Sequence, residues 1–159
     1  MDLGQDMPFR QILYKSRLPQ SMSDVERKAF LRSVLNTARL FNAENQITGL
    51  LLYCDGSLVQ LLESDNTAAL AGLIGRITRD TRHEDFEIVH DGQSDYRLCP
   101  TWSMGCASLK PDDLAELLDV PKVDLDESVT FALTPLGRRV KRLVLDLQHN
   151  PDIAQAYVA

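Results

Sequence analysis

Gln60 is an amide in an apolar run, Leu58-Val59-Gln60-Leu61-Leu62, and its neighbours on the same strand face are Leu58 and Leu62. A buried amide without partners costs roughly 1–3 kcal/mol. Gln60 therefore needs a neighbouring side chain, water at an edge strand, or a ligand. Tyr14 shares a strand face with Ile12. A buried phenol usually finds a partner for its hydroxyl, so Tyr14 by itself reads as a core aromatic with a satisfied hydroxyl. Arg76, Asp80 and His83 fall at i, i+4 and i+7, one face of a helix. They read as a solvated Arg76–Asp80 pair beside a histidine, or as the edge of an anion or nucleotide site. Trp102-Ser103-Met104 brings an indole, a hydroxyl and a thioether together. The alternative there is core packing on alternate faces of a strand.

Other chemistries lack their residues. No GxGxxG follows a strand, and GxxxxGK[ST], GxSxG and HExxH do not occur. His83, His90 and His149 do not stand at metal-ligand spacing from acidic residues, and the three cysteines, Cys54, Cys99 and Cys106, form no CxxC pair. A disulfide framework and a cysteine-built zinc site are therefore not expected. The 17 basic and 23 acidic residues leave a net charge of −6, which argues against a general binder of nucleic acid or anionic membrane. No apolar run approaches the ~20 residues of a membrane helix. The start, MDLGQDMPFR, does not read as a secretory signal, so a cytoplasmic protein is expected.

The 159 residues, 44% hydrophobic and 25% charged, suit a single domain with one real core. PFRQILYKS (8–16) alternates as a strand, with Ile12 and Tyr14 on one face and Phe9 and Leu13 on the other. Ser23 and Glu26 form a capping box for a helix from Asp24 to about Asn42. ITGLLLY (47–53) and SLVQLLE (57–63) are strands joined through Asp55-Gly56, a dipeptide suited to a tight hairpin. A second helix follows a cap at Asp65 or Asn66 and ends near Arg79–Arg82. FEIVH (86–90) and TWSMGCA (101–107) read as two more strands. The order β-α-β-β-α-β-β gives an α+β, ferredoxin-like sheet with two helices on one face. Beyond Leu109 a short helix, DDLAELLD, precedes a loop, VPKVDLDES. A last helix then starts at Pro135 under a Thr134 cap, with Leu136, Val140, Leu143, Val144 and Leu147 as its apolar face. This helical appendage cannot bury that face alone and must pack on the sheet or on a partner chain.

Five segments in this order, ILYKSR, ARLFNAENQITGLLLY, LVQLLES, GRITRDTRH and TWSM, resemble the BLUF domain, the blue-light sensor that binds FAD. The resemblance covers roughly residues 8–108 and leaves 109–159 as a C-terminal helical extension for output or oligomerisation. It implies the same sheet with two helices and a flavin ring between them. By position, Tyr14 matches the family's light-active tyrosine and Gln60 the glutamine that bridges tyrosine and flavin. Asn42 matches the asparagine at the ring's carbonyl and N3 edge. Val34 and Ile77 match the apolar residues on the two ring faces, and Arg76, Asp80 and His83 the nucleotide side. Trp102 and Met104 match the pair linked to signalling. The family mechanism has Tyr14 give an electron and then a proton through Gln60, which is left reoriented or tautomerised. Three positions depart from the family: Phe41 replaces a polar residue or histidine, and Gln46 and Ser64 stand where glycine is usual. The resemblance implies a sensor and not an enzyme, with output through self-association into a homo-oligomer or through a separate downstream protein. The alternative is a flavin-free ferredoxin-like interaction module, in which Tyr14 and Gln60 are ordinary core groups.

Overall fold

In a computed structural model that describes residues 8–118 and 134–149, five strands form one sheet with helices on both faces. The elements run β1 (Phe9–Arg17), α1 (Asp24–Glu44), β2 (Ile47–Cys54), β3 (Ser57–Ser64), α2 (Thr67–Arg79), β4 (Glu84–Ser94), β5 (Gly105–Ser108), α3 (Pro111–Leu118) and α4 (Pro135–His149). The strand order is β4-β1-β3-β2-β5. All pairings are antiparallel except β2 with β5. This is the expected ferredoxin-like α+β arrangement.

The local signals act as their chemistry requires. The Glu26 N–H donates to Ser23 Oγ at 3.2 Å, and the Ser23 N–H donates back to Glu26 Oε1 at 3.3 Å, so the capping box closes. At the next helix Asn66 is the cap, with its Oδ1 accepting from the Ala69 N–H at 3.2 Å. Asp55 (φ 46°) and Gly56 (φ 84°) both take the left-handed conformation that a two-residue hairpin between β2 and β3 needs. Thr134 caps α4 through its Oγ1, which accepts from the Gly137 N–H at 2.9 Å.

The strand alternation divides the core in two. One face of the sheet carries Ile12, Tyr14, Leu51, Leu58 and Leu62 against Leu31 and Leu35 of α1 and Leu70 of α2. The other carries Leu13, Leu50, Leu52, Val59 and Leu61 against Leu114 and Leu117 of α3 and Leu136, Val140, Val144 and Leu147 of α4. The expected apolar face of the last helix thus docks on the sheet, with Leu143 partly buried beside it. Each such side chain contributes roughly 1.5–3 kcal/mol when fully buried.

Several boundaries differ from the sequence reading. The fourth strand is longer, Glu84–Ser94, because its pairing with β1 continues through Phe9 opposite Ser94. The last strand is shorter: TWSMGCA does not form one strand over 101–107, and β5 begins only at Gly105. In that stretch the Trp102 carbonyl accepts from the Gly49 N–H, and those of Ser103 and Met104 accept from side chains, so no sheet ladder forms. The loop reading of VPKVDLDES, and Asp119 as a helix end, lie outside the described residues.

Gln46 takes φ 56° at the α1–β2 corner. Ser64, the other position where the resembled family has glycine, donates its hydroxyl to the Gln46 carbonyl at 2.9 Å and accepts from the Asn66 N–H at 2.9 Å. The two departures therefore meet, and the Ser64 hydroxyl holds a corner whose backbone a non-glycine residue strains. Relief of the ~1–2 kcal/mol left-handed penalty, less the ~0.5–1 kcal/mol of extra chain entropy glycine carries, gives the expected effect of Gln46→Gly. It should raise stability by roughly 0.5–1 kcal/mol in urea unfolding, and an unchanged or lower midpoint contradicts the assignment of strain.

Candidate functional site

The antiparallel register of β1 and β3 sets Tyr14 directly opposite Gln60. Gln60 is opposite Leu51 on its other side, and Leu51 is opposite Cys106. These side chains lie in one row on the sheet face under α1 and α2. The Tyr14 hydroxyl donates to Gln60 Oε1. Gln60 Nε2 in turn donates to Met104 Sδ at 3.3 Å. Gln60 is only 4% exposed, so its amide does not face solvent from an edge strand. Burial, and then the Asp80 charge, push the Tyr14 phenol well above its usual range, so it keeps its proton. Burial also pushes the Cys106 thiol up to about 12, which leaves no thiolate in this row at neutral pH.

Above the row, α1 and α2 leave a cavity of about 320 Å³. Its floor is Tyr14, Gln60, Leu51 and Leu58, its walls include Val34 and Ala38 of α1 and Leu73 and Ile77 of α2, and one end carries Arg76, Asp80, Arg82 and His83. Asn42 lines the cavity and is fully buried. Its Nδ2 donates to the Ser103 carbonyl at 2.7 Å, while its Oδ1 has no partner. A buried acceptor left empty at a cavity wall calls for a donor from whatever fills the cavity.

The charged end is built differently from its sequence reading. α2 stops at Arg79, so Arg76, Asp80 and His83 do not share a helical face. Asp80 pairs with Arg82 at 2.7 Å and not with Arg76, and the Arg82 hydrogen bond holds its carboxyl below the usual carboxylate range. The Arg76 guanidinium instead lies 4.3 Å above the Phe41 ring. His83 Nε2 donates to the Ile77 carbonyl at 2.8 Å. All three still line the cavity.

The strand that TWSMGCA (101–107) predicts does not carry Trp102 and Met104. Both precede β5 and they go to opposite faces: Met104 joins the core under α1 and α2, and Trp102 packs against the core under α3 and α4. Met104 is held from α1, where Arg39 Nε donates to its carbonyl at 3.0 Å.

The sequence reading passed over three groups. Arg82 lines the cavity, and Arg39 reaches Met104 from α1. Glu63 is a fully buried carboxylate, and burial raises its pKa against the hydrogen bonds it receives. Its signal is its phase: it shares the strand face of Val59 and Leu61, the apolar back face of β3.

An apolar slot between two helices, with a phenol and an amide on its floor and an open acceptor on its wall, is built to hold a flat heteroaromatic ring that carries an N–H donor. The comparisons name the class. Residues 9–105 match the family model described as BLUF, sensors of blue-light using FAD, and the chain belongs to that family. It is 34% identical over 104 residues to the photoactivated adenylate cyclase subunit beta of Euglena gracilis, and equally so to that of Euglena longa. That match covers 65% of this chain and 12% of the relative, so the chain spans about an eighth of those curated relatives. In fold it is similar to BlsA in its photo-activated state (TM-score 0.64, 23% identity, 87% of this chain and 94% of that one). BlrB, a BLUF protein in its dark state, is similar too (TM-score 0.57, 24% identity, 94% and 92%). The family's cofactor is FAD, and the residues present fit it: the flavin imide N–H is the donor that the open Asn42 Oδ1 lacks. A flavin-free interaction module is not favoured. No described helix is long and apolar enough to cross a membrane.

Gly105 seats Trp102, since a Cβ there would stand 2.7 Å from Trp102 Cε3. Trp102 is the chain's single tryptophan, so its emission reports this seat without interference. Gly105→Ala should displace the ring, shift the emission to the red and destabilise by roughly 1–3 kcal/mol. Unchanged emission and stability contradict the close seat.

Proposed function

We propose that this blue-light sensor works through Tyr14 and Gln60, with Asn42, Val34, Ile77, Arg76, Asp80 and His83 holding FAD and Met104 and Trp102 relaying the change. The observation that carries the reading is the continuous donor chain from Tyr14 Oη through the Gln60 amide to Met104 Sδ, on the floor of the slot between α1 and α2.

When bound, FAD supplies blue-light absorption and an electron-accepting ring. Tyr14 keeps its proton in the dark and directs it at Gln60 Oε1. A phenol that has given up an electron is a strong acid, and Oε1 stands in line to take its proton. Gln60 then presents a different set of donors and acceptors, either as the imidic tautomer, with Oε1 protonated and one Nε2 hydrogen given up, or with its amide turned over. Both outcomes disturb the bond from Nε2 to Met104 Sδ. Asn42 fixes the orientation of the ring by offering Oδ1 while Nδ2 stays on Ser103. Arg76, Asp80 and His83 serve the nucleotide end, where charged groups suit phosphate and ribose.

The chain itself acts as a sensor and not as an enzyme, and its output is binding, to a second copy or to a separate protein. Residues 8–108 form the photosensor and 109–159 the output extension. The support is that α4 docks on the sheet face behind the site, in the same core cluster that Trp102 packs against. We place the protein in the cytoplasm, consistent with three cysteines that are all free and buried.

Illumination of the purified full chain with FAD tests the reading. Blue light should shift the flavin absorption slightly to the red and the shift should decay in the dark. Tyr14→Phe and Gln60→Leu should keep FAD and lose the shift. Asn42→Ala should weaken FAD by about tenfold, the equivalent of ~1.4 kcal/mol. Normal cycling of Tyr14→Phe contradicts the assigned roles. For the output, amide exchange within 135–149 should change with light, and identical light and dark exchange there removes α4 from the signal path.

A further inference from the structure

Among the described residues Glu63 is the one carboxylate that is completely buried. It lies three residues beyond Gln60 on β3, on the opposite sheet face. Every group it bonds is a donor. Oε2 accepts from Gln11 Nε2 and from the Leu98 N–H, both at 2.9 Å. Oε1 accepts from the Cys99 N–H at 2.5 Å and from the Thr48 hydroxyl at 3.5 Å. An acceptor-only group thus gathers β1, β2, β3 and the start of the connection from β4 to β5.

That connection has almost no sheet ladder to hold it. Leu98 and Cys99 pack in the core under α3 and α4, while Met104 packs in the core under α1 and α2. Between them the Trp102 carbonyl accepts from the Gly49 N–H at 3.0 Å, and Asn42 and Arg39 take the carbonyls of Ser103 and Met104. The segment therefore passes from one face of the sheet to the other. Glu63 anchors its first end, and its last end is the sulfur on the Gln60 amide.

We infer that Glu63 is a positioning residue for the photoactive amide: by pinning the Leu98 and Cys99 peptides it sets where Met104 Sδ stands against Gln60 Nε2. The inference rests on the roles proposed above for Gln60 and Met104. Charge and shape both matter, because each carboxylate oxygen faces one peptide N–H. A glutamine there has only one oxygen, and whichever way its amide turns, its NH2 meets a peptide donor.

The test uses the full chain with FAD and compares Glu63→Gln, Met104→Leu and the double variant. Glu63→Gln should keep FAD and the red shift, change the dark-return rate by about threefold or more, and speed amide exchange at Leu98, Cys99 and Gly49, whose N–H holds the Trp102 carbonyl, in the dark. In the Met104→Leu background the same change at Glu63 should leave the return rate unmoved, because the contact through which it acts is already gone. An unmoved rate in the single variant, or an equal effect in both backgrounds, overturns the inference. If Glu63→Gln yields no coloured protein, Glu63→Asp is put through the same comparison. Failure of both to fold makes Glu63 a folding residue only and also overturns it. A parent chain without a red shift refutes the proposed function instead. Exchange in the apoprotein then decides for Glu63: faster at Leu98, Cys99 and Gly49 supports it, and faster at Leu98 and Cys99 alone, or at none, overturns it.

Discussion

The pairing of Tyr14 with Gln60 across β1 and β3 is the constraint on which the rest depends. Side chains alternate along a strand, so a slip of one residue would send one member of the pair to the back face. The flanking pairs forbid that slip. Ile12 opposite Leu62 lies in the core under α1 and α2, while Leu13 opposite Leu61 lies in the core under α3 and α4. Both faces of the sheet are covered, so the register that buries the leucines also fixes the phenol against the amide. Placement of the Tyr14–Gln60 pair is in this sense a by-product of hydrophobic burial, and it needs no special loop.

What the register does not fix is the third member, Met104. It reaches Gln60 from a segment outside the sheet ladder, held by groups on four other elements: Gln11 acts through Glu63 from β1, Gly49 is on β2, Glu63 on β3, and Asn42 and Arg39 on α1. The rigid pair and the suspended thioether have different mechanical characters. A change in the Gln60 amide meets a partner whose position depends on a handful of hydrogen bonds rather than on a strand. That difference suits the relay proposed for Met104, since a switching element is drawn from the less firmly held parts of a fold. The Trp102 ring, on the same segment, packs against the core that α3 and α4 share.

The sequence made the ladder and the slot readable because both follow periodicity. The Ser23–Glu26 box, the Asp55-Gly56 hairpin, the apolar face of α4 and the alternation that buries Tyr14 each have a local cause, and each was found where that cause predicts. The residue types from Trp102 to Met104 suit a strand, but the Trp102 N–H turns back to the Cys99 carbonyl, and the carbonyls of Ser103 and Met104 are taken by the Asn42 and Arg39 side chains. Asp80 was paired with Arg76 by helical spacing, but α2 ends at Arg79 and frees Asp80 to meet Arg82. Glu63 was legible only as a carboxylate in the wrong phase, and its partners Leu98 and Cys99 lie 35 and 36 positions away. The resemblance to the family supplied the cofactor, and the open Asn42 Oδ1 supplies an independent physical reason for it.

The claim at the centre of this account is that light changes the Gln60 side-chain amide while its backbone register holds. Light-minus-dark infrared difference spectra of the FAD-loaded chain, with glutamine labelled by 13C and 15N, test it most directly. The account predicts an isotope-sensitive side-chain amide band that changes on illumination and is absent in Gln60→Leu, with the amide I bands of the sheet unchanged. A full flavin red shift with no glutamine band in the difference spectrum would contradict it.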